Sequence, residues 1–415
     1  MRILFLDHPQ FTSGSHFLWH GLNENLPAGS VVAYPHIPTH YSADEMNLDD
    51  LEWFREMEGY VRNGARPQGI PPFAPGEGLT GGNQKIIKRY EASKKFRPPD
   101  NIPSEQYIRD ELAAGRFSLI ILANSHRVPT IALGRLRDSL GNLPPIVYYD
   151  AGERDELNEH WVHAFRPALV FKQILTPSVE ARGLSVPIAN YKFKLLPLPL
   201  SSPILDMDSP MGIPMQWFRK NDDPLDKLFD VFYRMGPTWP GREPVLTMLD
   251  ALCQEKGLVT TGLATYTNYH VVLSRSRMAV TMRGSGRDTQ RYWEIPLYKT
   301  LMVSDGTMGC IHPYPFEDGK TAVFYSSIND LRMKLLRYMP RNGPNEAELQ
   351  AIARAGKDHL WKYHSTGARA VFFLERVREY IGISDAETEA AVERWKRDHK
   401  WDSRPWRGPV AGGNL

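Results

Sequence analysis

Residues Ser276-Arg277-Met278-Ala279-Val280-Thr281-Met282-Arg283-Gly284, with Ser285-Gly286 after them, decide the fold of this chain. Met278 to Met282 is a short apolar run with β-branched residues inside it, which reads as a strand. It stops at the polar, glycine-bearing turn Arg283-Gly284-Ser285-Gly286. Arg291 to Tyr298 then reads as a helix, and Leu301 to Ser304 as the next strand, reaching Asp305. Strand, glycine turn, helix and strand in that order make a βαβ unit of a parallel sheet.

The same alternation extends in both directions. Upstream, Phe229 to Tyr233 is a strand and Gly236-Pro237-Thr238-Trp239-Pro240-Gly241 a turn. Arg242 to Lys256 is a helix with Val245, Leu246, Leu249 and Leu252 at helical spacing. Leu258 to Leu263 reads as a strand and Tyr269 to Arg277 as a helix. Downstream, Asp330 to Tyr338, Glu346 to His364 and Gly367 to Ile381 are helical by pattern. The N-terminal half repeats the theme with strands at Arg2 to Leu6, Phe117 to Ala123 and Pro145 to Tyr149, and an apolar segment at Leu169 to Leu175. Gly14 to Asn23 and Ile131 to Leu140 are its helical stretches.

Leu195 to Leu200, with two prolines in an apolar run, reads as an extended linker between two α/β halves. The expected division is residues 1–200, residues 201–380, and a helical tail over 381–415 whose Trp395, Trp401 and Trp406 either anchor it by burial or bind a partner. Between about residues 38 and 103 proline, glycine and charge dominate. That stretch is expected to be an insertion in the first domain, either a substrate-facing flap or a solvated excursion.

Length and composition narrow the function classes. The chain has 415 residues, 42% apolar and 24% charged, enough to bury two or three cores of ordinary size. Fifty basic against 48 acidic residues give a formal charge of +2, so the whole chain shows no footprint for nucleic acid or an anionic membrane. Cys253 and Cys310 cannot build a disulfide framework or a cysteine-rich zinc site. With no secretory signal pattern and no long apolar span, a cytoplasmic protein without a transmembrane segment is expected.

The turn after Met282 has the chemistry of an anion site. Glycine lets a ligand approach the backbone, and the helix that follows points unpaired N–H groups and a partial positive charge outward. Arg283, Arg287 and Arg291 cluster there, and guanidinium forks match phosphate oxygens. Gly284 and Gly286 supply the turn. Gly236 and Arg242 offer either a second phosphate-contacting loop or a plain strand-to-helix turn. Tyr266 and Tyr269 could stack on a base or simply pack.

A longer series carries a resemblance. Ser276 to Gly284, Arg291-Tyr292-Trp293-Glu294, Leu301 to Asp305, Phe316-Glu317-Asp318-Gly319-Lys320, Val323-Phe324-Tyr325, Asn329-Asp330-Leu331, Ile352-Ala353-Arg354-Ala355-Gly356, His364 and Arg369 follow one another in order. The stretch from Leu273 to Arg369 thereby resembles the donor-binding domain of GT-B glycosyltransferases, and within them the group that includes spore-maturation-type proteins. The resemblance implies an α/β fold of two Rossmann-like domains facing across a cleft, with a C-terminal helical tail that packs back on the first domain. It implies a nucleotide-sugar donor, most simply a UDP-sugar, with no cofactor and no metal. It also implies that Glu294 accepts hydrogen bonds from the donor ribose, which suits an acceptor-only carboxylate.

This chain departs from the family pattern twice. Where many retaining members carry a second glutamate, eight positions before the ribose-binding one, it has Gly286, with Asp288 the nearest carboxylate. Where small residues and a glycine usually follow the glutamate, it reads Leu297-Tyr298-Lys299-Thr300. Retention or inversion therefore does not carry over.

The first half holds the catalytic candidates. Asp7 and His8 follow the first strand, His126 follows the strand ending at Ala123, and Asp150 follows the strand ending at Tyr149. A strand-end His or Asp suits a base for an acceptor hydroxyl, and a strand-end Asp equally suits a cap or turn. His16 and His20 have i, i+4 spacing but no third ligand nearby, so no zinc site is expected. Lys85, Lys88, Arg89, Lys94, Lys95 and Arg97, interleaved with Tyr90 and Phe96, form the one basic cluster and the candidate contact for an anionic acceptor.

The expected activity is sugar transfer from a nucleotide donor to a glycan, small-molecule or protein acceptor. Two alternatives stand beside it: an enzyme that glycosylates a modified DNA base through the basic segment 85–97, and a GT-B-shaped binding protein without catalysis. Salt-dependent DNA binding would mark the first, and nucleotide binding without donor hydrolysis the second.

Overall fold

The computed structural model describes residues 1–8, 13–35, 102–123, 127–202, 227, 229–233, 235, 239–256, 269–284, 286–306 and 309–401. The chain divides into two compact units. The first is Met1–Pro199 with Arg369–Lys400, and the second is Leu200–Ala368 with Trp401.

The first unit is built on six strands: β1 (Ile3–Leu6), β2 (Val31–Tyr34), β3 (Leu119–Ala123), β4 (Ile146–Asp150), β5 (Leu169–Lys172) and β6 (Lys194–Pro197). They lie in the order β2-β1-β3-β4-β5-β6, every neighbouring pair parallel. β1, β3 and β5 are buried along their whole length, which is why they read as unbroken apolar runs. Each fully buried Leu, Ile or Phe contributes roughly 1.5–3 kcal/mol of transfer free energy. The chain order reverses between β1 and β3, so the residues just after β1 stand at a topological switch point, where ligands of open α/β sheets bind.

Local chemistry sets the helix starts. Ser104 accepts the Tyr107 N–H (3.1 Å) at the head of helix Glu105–Ala113, and Thr176 accepts the Val179 N–H (3.3 Å) beside Pro177. Asp385 accepts the Thr388 N–H (2.8 Å) at the head of helix Ala386–Asp398 and also pairs with the Met1 ammonium. In β5, Phe171 packs its ring on Phe373 (centroids 4.9 Å apart), which draws helix Thr366–Ile381 onto this sheet from Arg369 onward.

The second unit carries β7 (Phe229–Phe232), β8 (Ser276–Thr281), β9 (Leu301–Ser304) and β10 (Val323–Phe324), all parallel, in the order β10-β9-β8-β7. Val231, Met278, Val280, Leu301 and Val303 meet Val245, Leu249 and Leu252 of helix Arg242–Lys256, and Leu331 and Leu335 of helix Ile328–Tyr338, in one core. Helix Gln290–Leu297 is buried from Tyr292 through Leu297. It meets helix Glu346–His364 at Gly356, where a Cβ would lie 2.5 Å from the Thr321 carbonyl oxygen and 3.9 Å from Pro296. Glycine at 356 is therefore a requirement of close packing.

Several elements differ from the sequence expectations. The helix expected over Tyr269 to Arg277 ends at Ser274, and Ser276 and Arg277 open β8. Arg277 is drawn inward because its guanidinium donates to the carbonyls of Met339 (2.8 Å) and Tyr338 (3.1 Å) and pairs with Asp230 (3.3 Å) and Glu346. The proposed linker from Leu195 is half strand: Lys194–Pro197 pairs with β5 as an edge, where proline's missing N–H is tolerated. Strand β2, which has no counterpart in the sequence reading, supplies the other edge. The C-terminal helices from Arg369 to Lys400 group with the first unit, whereas Trp401 stands against Tyr314 and Tyr363 of the second. The expected strand at Leu258 to Leu263, the insertion around 38–103 and Trp406 lie outside the described residues. Among the described residues no helix is long and apolar enough to cross a membrane, and Cys253 and Cys310 are buried free thiols.

At the base of β7, Lys227 donates to the Ser274 carbonyl (2.8 Å), the Tyr298 carbonyl (3.0 Å) and the Thr300 hydroxyl (3.0 Å). Burial, with Lys299 and Lys357 nearby, pushes its ammonium down to about 7. Between that value and the ordinary lysine value the unfolded chain binds more protons than the folded one, so stability rises with pH across this window. Urea unfolding followed from pH 7 to pH 10 is expected to show that rise, and Lys227→Met to flatten it. Lys299 itself takes a left-handed φ of +50° just past helix Gln290–Leu297. Lys299→Gly is expected to raise stability by about 0.5–1 kcal/mol in the same assay, by removing this backbone strain and one cation beside Lys227.

Candidate functional site

The turn after β8 is held from three sides. Arg242, in the first turn of helix Arg242–Lys256, donates Nε to the Arg283 carbonyl (2.9 Å) and Nη2 to the Met282 carbonyl (3.2 Å). Asp305, at the end of β9, accepts the Arg283 N–H through Oδ2 (3.1 Å) and the Ser304 hydroxyl through Oδ1 (3.3 Å). Asp288 closes the far end: Oδ2 accepts the Leu200 N–H (2.7 Å) and Oδ1 the Trp293 indole N–H (2.8 Å). Between these anchors the Gly284 N–H donates to the Gly286 carbonyl (3.0 Å), making the turn tight.

Electrostatics follow from this packing. Burial lowers the Arg242 guanidinium pKa, and Arg291 adds to the effect while Asp305 opposes it. Burial also raises the Asp305 carboxyl, against the pull of the Arg283 N–H. The site therefore joins arginines from two helices and a turn to the largely buried Asp305 carboxylate.

Helix Gln290–Leu297 starts at the edge of this turn. Thr289 occupies its N-cap position with extended backbone (φ −109°, ψ 141°), yet makes no side-chain capping bond. Its hydroxyl is buried with no hydrogen-bond partner among the described residues. The first-turn N–H groups thus lack the side-chain acceptor that usually serves them. Arg283 lies over the Trp239 ring, 5.1 Å from its centroid. Arg287 rests against Gly309, where a Cβ would stand 2.8 Å from Nη1 and where φ is +72°. Only glycine satisfies both conditions without displacing the guanidinium. Glu294 sits one turn into the helix, 9% exposed.

The structure thus brings Arg242, Arg283, Gly284, Gly286, Arg287, Arg291 and Glu294 to one edge of the second sheet, beyond the ends of β8 and β9. Arg242 spends two nitrogens on carbonyls, so its visible work is holding the turn. Asp288, the carboxylate nearest the missing upstream glutamate, has both oxygens engaged and does not replace it. Trp239, Asp305 and Gly309 belong to the site and were not read as such. Their available signals were the aromatic inside the 236–241 turn and two glycines soon after a strand end.

In the first unit, Asp7 and His8 are buried after β1. Asp7 Oδ1 accepts the His8 N–H (2.7 Å), and burial holds its carboxyl well above the usual range against that bond and one from Ser15. Asp150 is differently placed. Its oxygens accept the N–H groups of Gly152 (3.2 Å) and Asn158 (3.0 Å), and it pairs at 3.3 Å with Lys172, which is 0% exposed. Lys172 also donates to the Gly152 carbonyl (2.9 Å), so the pair fixes the loop after β4. His16 and His20 lie buried on helix Ser13–Asn25, with His20 Nδ1 3.6 Å from Glu24. No cluster that could hold a metal occurs among the described residues. Tyr269 opens helix Tyr269–Ser274. His126, Gly236, Tyr266, Ser285, Lys85, Lys88, Arg89, Lys94, Lys95 and Arg97 lie outside the described residues.

Comparison with known proteins bears on this site. Residues 223–375 match the family described as Glycosyl transferase-like. No curated protein matches the chain in sequence. Among solved structures, a glycosyltransferase from Rickettsia africae ESF-5 is 12% identical, covering 92% of this chain and 99% of that one, with a TM-score of 0.47. Sucrose-phosphate synthase from Thermosynechococcus elongatus is 12% identical, covering 92% and 100%, with a TM-score of 0.48. Anabaena Alr3699/HepE in complex with UDP-glucose is 10% identical, covering 91% and 100%, with a TM-score of 0.45. The span from 223 to 375, which contains the turn, its arginines and Glu294, is thus similar in sequence to the Glycosyl transferase-like family.

Proposed function

We propose that this protein is a nucleotide-sugar-dependent glycosyltransferase of the GT-B kind, and that the edge of the second sheet binds the donor. The observation that carries the reading is the helix Gln290–Leu297, whose N-cap Thr289 makes no capping bond, beside a glycine turn and Arg283, Arg287 and Arg291. An anion there would meet backbone N–H groups, a helix dipole and guanidinium forks together. The family match over the same residues supports sugar transfer as the chemistry.

In the proposed reaction the bond between the anomeric carbon and the diphosphate oxygen breaks, and the acceptor oxygen takes its place on that carbon. The acceptor's proton goes to a base, and the nucleoside diphosphate leaves with the electron pair. Arg283 and Arg287 stabilise the charge that develops on the leaving diphosphate, with Arg291 behind them. Glu294 accepts hydrogen bonds from the ribose hydroxyls. These arginines supply the positive charge, so no resident metal or cofactor is required. Of the first unit's candidates, Asp7 fits a proton acceptor better than Asp150: among the described residues it accepts from the neutral His8 N–H and Ser15 hydroxyl, whereas Asp150 is locked to Lys172. UDP is the donor nucleotide we propose, and a hydroxyl-bearing glycan, small molecule or protein is the acceptor. The alternative of a DNA-base acceptor rests on the basic segment 85–97 and gains nothing from the described geometry.

Nucleotide release from UDP-, GDP-, CMP- and dTDP-sugars tests this, with thermal shifts recorded for the same donors. Release from one donor class is expected. Arg283→Ala and Glu294→Ala should each lower it about 10- to 100-fold, the scale of a lost hydrogen bond to a charged group. Neither shift nor release with any of these donors would sink the donor-site assignment.

A further inference from the structure

The indole of Trp239 is fixed from below. It packs against the core of the second unit. It also lies folded over the backbone of Gly241, where a Cβ would stand 2.3 Å from Cη2 and 2.4 Å from Cζ3. The Arg242 N–H donates to the Trp239 carbonyl (3.1 Å), which closes the turn Trp239-Pro240-Gly241-Arg242. Any side chain at 241 would push the ring off this seat.

This turn meets Arg283 at two points. Arg242 Nε donates to the Arg283 carbonyl (2.9 Å), and the Arg283 guanidinium carbon lies 5.1 Å from the centre of the Trp239 ring. Among the described residues the guanidinium makes no hydrogen bond and no ion pair, and its Nε is buried without a partner. Asp305 senses the Arg283 charge, yet its Oδ2 takes the Arg283 backbone N–H (3.1 Å) and not the guanidinium. The manner of holding matters. A carboxylate would fix an arginine by spending its N–H groups and offsetting its charge. A ring face attracts the cation through its quadrupole and leaves both in hand. A buried Nε–H without an acceptor is costly, and an incoming oxygen would relieve that cost.

We propose that Trp239 is a positioning residue: it holds Arg283 by the ring face so that Nε and Nη stay available for two oxygens of a diphosphate, with Gly241 as the seat of the ring. The planar guanidinium presents such a pair of donors in a fixed fork, which suits two phosphate oxygens. The identity of the anion as the donor's diphosphate rests on the proposed glycosyl transfer, whereas the clamp on Arg283 does not.

Calorimetric titration of the full chain with UDP and, separately, with inorganic pyrophosphate tests the proposal. Trp239→Leu is expected to weaken both ligands about 5-fold or more, the scale of one cation–π contact. Trp239→Phe, which keeps a ring face, should bind them within about 2-fold of the wild type. Gly241→Ala should weaken them as Trp239→Leu does, because it displaces the ring without removing it. In an Arg283→Ala background Trp239→Leu should change neither affinity further, whereas a ring that merely supported the fold would cost the same in both backgrounds. Ligand affinities left unchanged by Trp239→Leu and Gly241→Ala, or a Trp239→Leu loss that persists in full after Arg283→Ala, would overturn the clamp and leave the donor site standing. Pyrophosphate binding that depends on Trp239, with no binding of UDP, would refute the proposed donor nucleotide and leave the clamp standing. Binding of neither ligand by the wild type would overturn both.

Discussion

The second unit depends on how the turn from Met282 to Asp288 is held. Arg242 grips the two carbonyls at its entrance, Asp305 grips the Arg283 N–H, and Asp288 ties its exit to Leu200 and Trp293. Charged groups are used here as hydrogen-bonding brackets on backbone, where charge-assisted bonds are short and directional. The result is that Gly284 and Gly286 and the start of helix Gln290–Leu297 are presented in one fixed geometry. Arg283 and Arg287 then receive their own supports, the Trp239 ring and the Gly309 backbone. A site for a charged ligand needs this kind of preorganisation, because arginines free to wander would lose their advantage to ordering entropy.

Much of the fold was legible because parallel strands buried on both faces are short apolar runs, and β3, β8 and β9 are such runs. The helices Arg242–Lys256 and Glu346–His364 were legible from spacing alone, since each buries one stripe. The misreadings have physical causes. Arg277 looks like a polar helix residue, but tertiary partners at Tyr338, Met339, Asp230 and Glu346 take it into a strand. The proline run at 195–200 signals an extended chain, and an extended chain beside an open sheet edge becomes a strand.

Lys299, where the chain departs from the pattern of the family it resembles, takes a left-handed backbone at φ +50°. Gly286 is a different case, because the carboxylate it replaces has no substitute: Asp288 is fully committed. The arginines could be picked out from sequence because they cluster around a strand–turn–helix junction, whereas Glu294 is singled out only by the family resemblance. Trp239 and Gly309 could not be picked out, since their placement depends on which distant side chain they approach. Asp150 carried the same strand-end signal as Asp7, and only the buried Lys172 partner distinguishes them.

The central claim is that the turn and helix start at residues 283–291 form the diphosphate site. A crystal structure of the full chain with bound UDP tests it most directly. The account requires the diphosphate oxygens to lie within hydrogen-bond distance of the backbone N–H groups at the start of helix Gln290–Leu297 and of Arg283 or Arg287, with the ribose hydroxyls on Glu294. UDP bound elsewhere, or at this edge with Glu294 away from the ribose, would contradict it.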